Sequence, residues 1–132
     1  MIARGPELPE LLRQECLADL FRATVQRQPT AVALEDGQGA LTYQELLARA
    51  EGVAAGLRQL GIGPGQCVGL WLPRGSELII AQVGITLAGA AWLPFDAAVP
   101  PDRLATCLRD ARGTHVLTTA TLQPEVSARG LT

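Results

Sequence analysis

Few residues in this chain are of a type that could do chemistry. Arginine supplies all eleven positive charges, and there is no lysine. That absence removes a lysine Schiff base, a lysine general base and the lysine of a P-loop. The single histidine, His115, stands before the apolar pair Val116-Leu117, the place of a structural residue at a strand start. With no second histidine and no lysine, a Ser/His or Cys/His arrangement has little to build from. Cys16, Cys67 and Cys107 lie far apart, in no metal-ligand spacing. They read as small buried hydrophobes of a reducing compartment, not as a zinc site or a disulfide framework. One short run offers anion chemistry: Arg74-Gly75-Ser76 falls between an apolar run and a helical pattern. A helix N-terminus there would aim free N–H groups at an anion, with Arg74 beside it. An ordinary strand-to-helix loop with serine as N-cap explains the same residues. Gly61-Ile62-Gly63-Pro64-Gly65 has the glycines of a dinucleotide fingerprint but the wrong context. It follows a helical pattern and opens a strand, whereas the fingerprint does the reverse.

The elements that must position these residues belong to one domain. A chain of 132 residues has room for a single core, and 48% apolar with 18% charged residues is a globular composition. A net charge of −2 carries no basic footprint for nucleic acid or an anionic membrane. Residues 1–15 read as a leader and helix start, and 16–132 as the domain. The leader is no signal peptide, because Glu7 and Glu10 interrupt it and Pro6 and Pro9 break it. Leu78 to Phe95 is uncharged over nearly the length of a bilayer span, but Gln82, Thr86, Gly89 and Pro94 interrupt it. It reads as a buried helix followed by a buried strand, and the expected compartment is the cytoplasm.

Periodicity predicts a first helix from near Pro9 to about Gln28, with Leu17, Leu20, Phe21 and Val25 on one face and Pro29 as its stop. Ala31 to Leu34, the turn pair Asp36-Gly37 and the return Ala40-Leu41 predict a hairpin. Thr42-Tyr43-Gln44-Glu45 has the capping-box pattern and opens a helix whose apolar face is Leu46, Ala50, Val53, Leu57 and Leu60. Gly61 and Gly63 end it. Cys67 to Leu72 predicts a strand covered on both faces. A buried helix from an N-cap at Ser76 to about Ala88 follows, then a strand at Ala91-Trp92-Leu93. A helix opening at Pro100-Pro101-Asp102 turns Leu104, Leu108 and Ala111 inward and ends at Gly113, before a strand over His115 to Thr119. Strand, helix, strand, helix, strand predicts an α/β fold with a parallel sheet and crossover helices, preceded by a helix and a short β-hairpin. Residues 120–132 are weakly patterned.

Two segments carry a resemblance. Leu41-Thr42-Tyr43-Gln44-Glu45-Leu46 resembles the first core motif of the adenylation domains of nonribosomal peptide synthetases. Leu87-Ala88-Gly89-Ala90-Ala91-Trp92-Leu93-Pro94-Phe95-Asp96 resembles their second. Between them, Leu60 to Gly65 and the apolar strand match the usual joint of that family. The likeness covers roughly Cys16 to Thr119 and extends to the wider adenylate-forming, AMP-dependent synthetase/ligase superfamily. Departures are Leu87 where lysine is usual, Trp92 where tyrosine is common, and Cys67 where a basic residue often stands.

The resemblance implies a partial N-terminal subdomain of the adenylate-forming fold. It implies a parent enzyme that activates an amino or other carboxylic acid with ATP and Mg2+ to an acyl-adenylate. The acyl group then passes to the phosphopantetheine thiol of a carrier protein. It assigns Thr42, Tyr43, Glu45, Gly89, Pro94 and Asp96 architectural roles and no catalytic one. The phosphate loop, metal-binding glutamate and catalytic lysine of the family have no counterpart here. The expectation is therefore a fragment, inactive alone, whose partners are the rest of the adenylation domain and adjacent synthetase or carrier domains. Two other readings stand beside it. One is a non-catalytic docking module anchored by Leu8, Leu11 and Leu12; the other is a small α/β domain binding an anion at Arg74-Gly75-Ser76.

Overall fold

The computed structural model describes residue 9 and residues 13–132. In chain order the elements are α1 (Leu17–Arg27), β1 (Val32–Asp36), β2 (Gly39–Thr42), α2 (Tyr43–Gln59), β3 (Cys67–Trp71), α3 (Ser76–Ala88), β4 (Ala91–Phe95), α4 (Pro101–Asp110), β5 (His115–Thr118) and α5 (Gln123–Ser127). β1 and β2 pair antiparallel, with Leu34 opposite Leu41 and Asp36 opposite Gly39. The other three strands form a parallel sheet in the order β4-β3-β5. The α/β class, the hairpin and the parallel β-α-β-α-β order are those the periodicity predicts. No helix among the described residues is long and apolar enough to cross a membrane.

Strand order explains the layering. The step from β3 to β4 goes one way along the sheet, and the step from β4 back past β3 to β5 goes the other. Two right-handed crossovers of opposite direction put their helices on opposite faces. Val68 and Leu70 accordingly pack with Ile85 of α3 and with Ala50 and Leu57 of α2. Trp71 and Val116 pack with Leu104 and Leu108 of α4.

Several boundaries differ from the sequence reading. α1 starts at Leu17, not near Pro9, because Asp19 reaches back to accept the Cys16 N–H at 3.0 Å and closes the first turn there. Leu8, Leu11 and Leu12 lie outside the described residues. Leu17 and Leu60, both expected on apolar faces, are each about 60% exposed, and Ala54 takes the buried place on α2. Ala111 is likewise exposed, with Ala105 buried on α4 instead. Ser76 is the first helical residue of α3, and the N-cap is Gly75 at φ 156°.

β4 is an edge strand and not a buried one: Ala91, Trp92 and Pro94 are exposed. The Ala91 N–H donates to Gln66 O at 2.9 Å, so alternate residues Leu93 and Phe95 also face β3. Pro94 then faces outward, where its missing N–H interrupts no bond and blunts the open edge.

The weakly patterned tail is structured. α5 buries Val126, and Leu131 joins the same cluster. Thr132 pairs with the outer edge of β5, donating to Thr114 O at 2.9 Å and accepting from the Val116 N–H at 2.7 Å. A five-residue helix carries too little periodicity to be seen in sequence.

α4 ends in a Schellman arrangement. The Gly113 N–H donates to Leu108 O and the Arg112 N–H to Arg109 O, both at 2.8 Å. The left-handed residue is Arg112, at φ 57°, where α2 uses Gly61 at φ 76°. Arg112→Gly is therefore expected to stabilise the fold by about 1 kcal/mol, the relief of left-handed strain less the added freedom of the unfolded chain. Urea unfolding with an unchanged slope checks this.

Candidate functional site

The carboxyl end of β3 leads through Pro73-Arg74-Gly75 into α3, and the turn of the β1–β2 hairpin lies across from it. Between them is an open groove of about 720 Å3, lined among others by Asp36, Gln38, Arg49, Arg74, Ser76 and Glu77. Arg74 and Gly75 are exposed and Ser76 is half-buried. The groove thus brings the anion-chemistry run together with two guanidiniums and two carboxylates.

One of those carboxylates stands at the start of α3. The Ser76 N–H donates to Asp36 Oδ2 at 3.0 Å, and the Ser76 hydroxyl donates to the same oxygen. Asp36 Oδ1 accepts the Gln38 N–H at 2.8 Å. A residue forty positions upstream therefore acts as the cap, complementing the positive end of the helix dipole. The Ser76 hydroxyl, then the amides of Gln38 and Ser76, hold the Asp36 carboxyl below its ordinary 3.8. The opposite end of α3 is treated in kind: Arg58 of α2 donates to Leu87 O at 2.5 Å. Sequence reasoning misses both residues. Asp36-Gly37 is legible as turn chemistry, but the partner of the carboxylate is set by where the hairpin lands.

A folded-state pKa below the unfolded value means stabilisation that is present above pH 3.8 and fades as pH falls through the lower, folded value. Asp36→Ala is expected to lower the melting temperature by about 4 °C at neutral pH. The gap between parent and variant should close only on the acid side of pH 3.8. Thermal melts from pH 7 to 2.5 check this.

The first core motif spans the junction of β2 and α2. The Glu45 N–H donates to Thr42 Oγ1 at 3.3 Å, and Glu45 accepts from the Thr42 N–H at 2.8 Å and from its hydroxyl at 2.9 Å. Those bonds, the backbone one first, hold the Glu45 carboxyl below its usual range. The Tyr43 N–H is taken by Ala31 O at 3.0 Å, and its ring lies 6.3 Å from that of Phe21. Leu46 is buried in the core, and Leu41 lines the groove.

The second motif lies a helix length away, about 20 Å for thirteen residues. Leu87 and Ala88 are buried at the end of α3. Gly89 is left-handed at φ 81°, and a Cβ there would stand 3.1 Å from Pro64 Cγ. After Ala90, residues Ala91, Trp92, Leu93 and Pro94 belong to β4. Asp96 closes the strand: its carboxylate accepts the Ala98 N–H at 2.9 Å, and its carbonyl accepts the Trp71 indole N–H at 3.2 Å. The two motifs are therefore brought to opposite ends of α3 and not into one site.

The remaining reactive types are scattered. His115 Nδ1 lies 3.0 Å from the Thr114 hydroxyl. The three cysteines are free but are not the buried hydrophobes expected: Cys16 is exposed at the start of α1, Cys67 and Cys107 are half-buried, and burial pushes the Cys67 thiol up. Among the described residues no three of His, Cys, Asp and Glu are grouped as a metal would require.

Known proteins share this arrangement. The profile of the family described as "AMP-binding enzyme" matches residues 21–131. Delta-poly-L-ornithine synthetase of Acinetobacter baumannii is 48% identical over 118 residues, 89% of this chain and 9% of that protein. Tyrocidine synthase 3 of Brevibacillus parabrevis is 34% identical over 130 residues, 98% of this chain and 2% of that one. The chain thus spans less than a tenth of either relative. The AMPPNP-bound structure of the nonribosomal peptide synthetase FmoA3 superimposes with a TM-score of 0.76 at 39% identity, over 83% of this chain and 12% of that one. Anthranilate CoA ligase AuaEII gives the same TM-score at 22% identity, over 84% of this chain and 22% of its own, a likeness of fold.

Proposed function

This chain belongs to the AMP-binding enzyme family, and we propose that it forms the opening part of the large subdomain of a peptide-synthetase adenylation domain. The observation that carries this reading is the superposition on a peptide synthetase at 39% identity over 83% of the chain. The parent reaction on this reading joins an amino or other carboxylic acid to the α-phosphate of Mg-ATP, releases pyrophosphate, and hands the acyl group to a phosphopantetheine thiol. Adjacent synthetase or carrier domains are the partners, and the cytoplasm is the compartment.

The residues present do not suit a nucleoside triphosphate. The chain has no lysine. The start of α3, in the groove with Arg49 and Arg74, already holds the Asp36 carboxylate, whose charge opposes a phosphate. No step of adenylation is therefore assigned to these side chains; their role is to build the sheet on which the rest is mounted. Pure 132-residue protein is expected to show no ATP–pyrophosphate exchange with any of the common amino acids. A longer polypeptide that continues this sequence through a lysine-bearing phosphate loop is expected to show it. Exchange by the short chain alone would overturn the reading.

A further inference from the structure

The two outer edges of the parallel sheet are not alike. On β4 the outward-facing residues are Trp92 and Pro94, and Pro94 has no N–H to offer. On β5, His115-Val116-Leu117-Thr118, there is no proline, carboxylate, guanidinium or bulge. None of these devices guards that edge against another strand.

The β5 edge already carries the first rung of a further strand. The Thr132 N–H donates to Thr114 O, and Thr132 O accepts from the Val116 N–H. Bonds to the residues on either side of His115 are the parallel pattern, with Thr132 in register with His115. The faces alternate to match. Leu131 is buried in the cluster that holds Val116 and α4, whereas the register puts Thr132 on the opposite face, with His115 and Val68. α5, which links β5 to this rung, packs Val126 into the α4 cluster. Successive right-handed crossovers that move one way along a sheet put their helices on one face, so α5 stands where a crossover to a strand beyond β5 belongs.

The next groups of that ladder are free. Val116 and Thr118 face outward by the alternation of a parallel strand. Among the described residues no backbone group takes the Thr118 N–H, and none donates to Val116 O or Thr118 O. Polar backbone groups in a packed sheet are satisfied by a neighbouring strand. We propose that the outer edge of β5 is the surface on which the remainder of the synthetase is mounted, and that its occupant is an extended segment joined to Thr132 and running parallel to β5. The second residue of that segment accepts from the Thr118 N–H and donates to Val116 O. Its residues opposite Val116 and Leu117 meet the α4 side and the α2–α3 side in turn, so both are apolar. The proposal rests on the reading of this chain as part of an adenylation domain, which supplies the segment.

Amide hydrogen exchange tests it, with the 132-residue chain beside the longer polypeptide that continues through a lysine-bearing phosphate loop. The Leu117 N–H faces β3 and is the slow reference in both. The Thr118 N–H is expected to exchange fast in the 132-residue chain and to slow by about tenfold or more in the longer polypeptide. An unchanged Thr118 rate would overturn the proposal. So would a Thr118 N–H that is already slow in the 132-residue chain and quickens on dilution, which would place a second copy on the edge. This readout does not depend on activity. A slowed Thr118 N–H in a longer polypeptide without ATP–pyrophosphate exchange supports the edge and counts against the functional reading. Exchange activity with an unchanged Thr118 rate does the reverse.

Discussion

Gly84→Leu is expected to cost about 3 kcal/mol or more and to lower the melting temperature by about 12 °C. Gly84 is buried at the crossing of α2 and α3, where Ala50, Ala54, Ala81 and Ala88 are also buried. Small side chains on both partners let the two helix backbones approach closely. A Cβ at position 84 would lie 2.6 Å from Val53 Cβ and 3.0 Å from the Ala50 carbonyl oxygen. At 2.6 Å something must move, and at 3.0 Å the carbonyl must give by a few tenths of an ångström. The Val53 Cβ is fixed to the helix backbone, so α2 would have to shift away from α3. Gly84→Ala tests the same point more gently. It gains about 1 kcal/mol of helix propensity and loses more to the clash, so a small net loss is expected. Adding Val53→Ala should rescue it only in part, because it removes the Cγ1 that would stand at 2.6 Å and keeps the Cβ that would stand at the same distance. Chemical unfolding of the single and double variants, read by far-ultraviolet circular dichroism, checks all three. A Gly84→Leu protein as stable as the parent would mean that the helices are not this close.

The second large effect is on the other face of the sheet. Leu108→Ala is expected to cost about 2–5 kcal/mol, through lost burial and a residual cavity. Leu108 is fully buried, and two glycines make the hole it fills. A Cβ at Gly69 would stand 3.3 Å from its Cδ2, and one at Gly113 would stand 2.4 Å from its Cδ1. The cost should therefore depend on its neighbours. Gly69→Ala in the parent adds a methyl where Leu108 and Val116 already press, and is expected to destabilise. In the Leu108→Ala background the same methyl enters the vacated space. The double-mutant cycle should show a favourable coupling of about 1 kcal/mol. Gly113→Ala is not expected to be rescued in this way, because its Cβ would also lie 2.7 Å from the Cys67 carbonyl oxygen. Additive behaviour of Gly69 and Leu108 would refute the packing described.

The architecture is legible in the sequence because it rests on local and periodic signals. The capping box at Thr42 and Glu45, the glycine after α2 and the apolar run of β3 each state a backbone preference within a few residues. The two core motifs are legible for the same reason: the Thr42 side chain, Gly89 and the Asp96 carboxylate make their bonds or turns within a few positions. What the motifs do not disclose is their separation, since α3 holds them at opposite ends.

The elements that periodicity misplaces are those whose fate depends on a neighbour far away in sequence. β4 reads as apolar and buried, but the strand order leaves it at an edge. Leu17 and Leu60 keep the helical period and still face outward, because a period fixes a face and not what covers it. The tail beyond β5 has no period to read, and its burial comes from α4 and β5.

By itself, then, the sequence determined the class of the fold, the order of its elements, its family likeness and the absence of lysine chemistry. These follow from residue type and short spacing. Only the tertiary structure decided that Asp36 would cap α3 and that Arg58 would close its other end. It alone decided that Arg74 and Ser76 would share a groove with an internal carboxylate, and that Trp92 would line an open one. Each of those outcomes is a meeting of residues that chain folding, and no local preference, brings within reach.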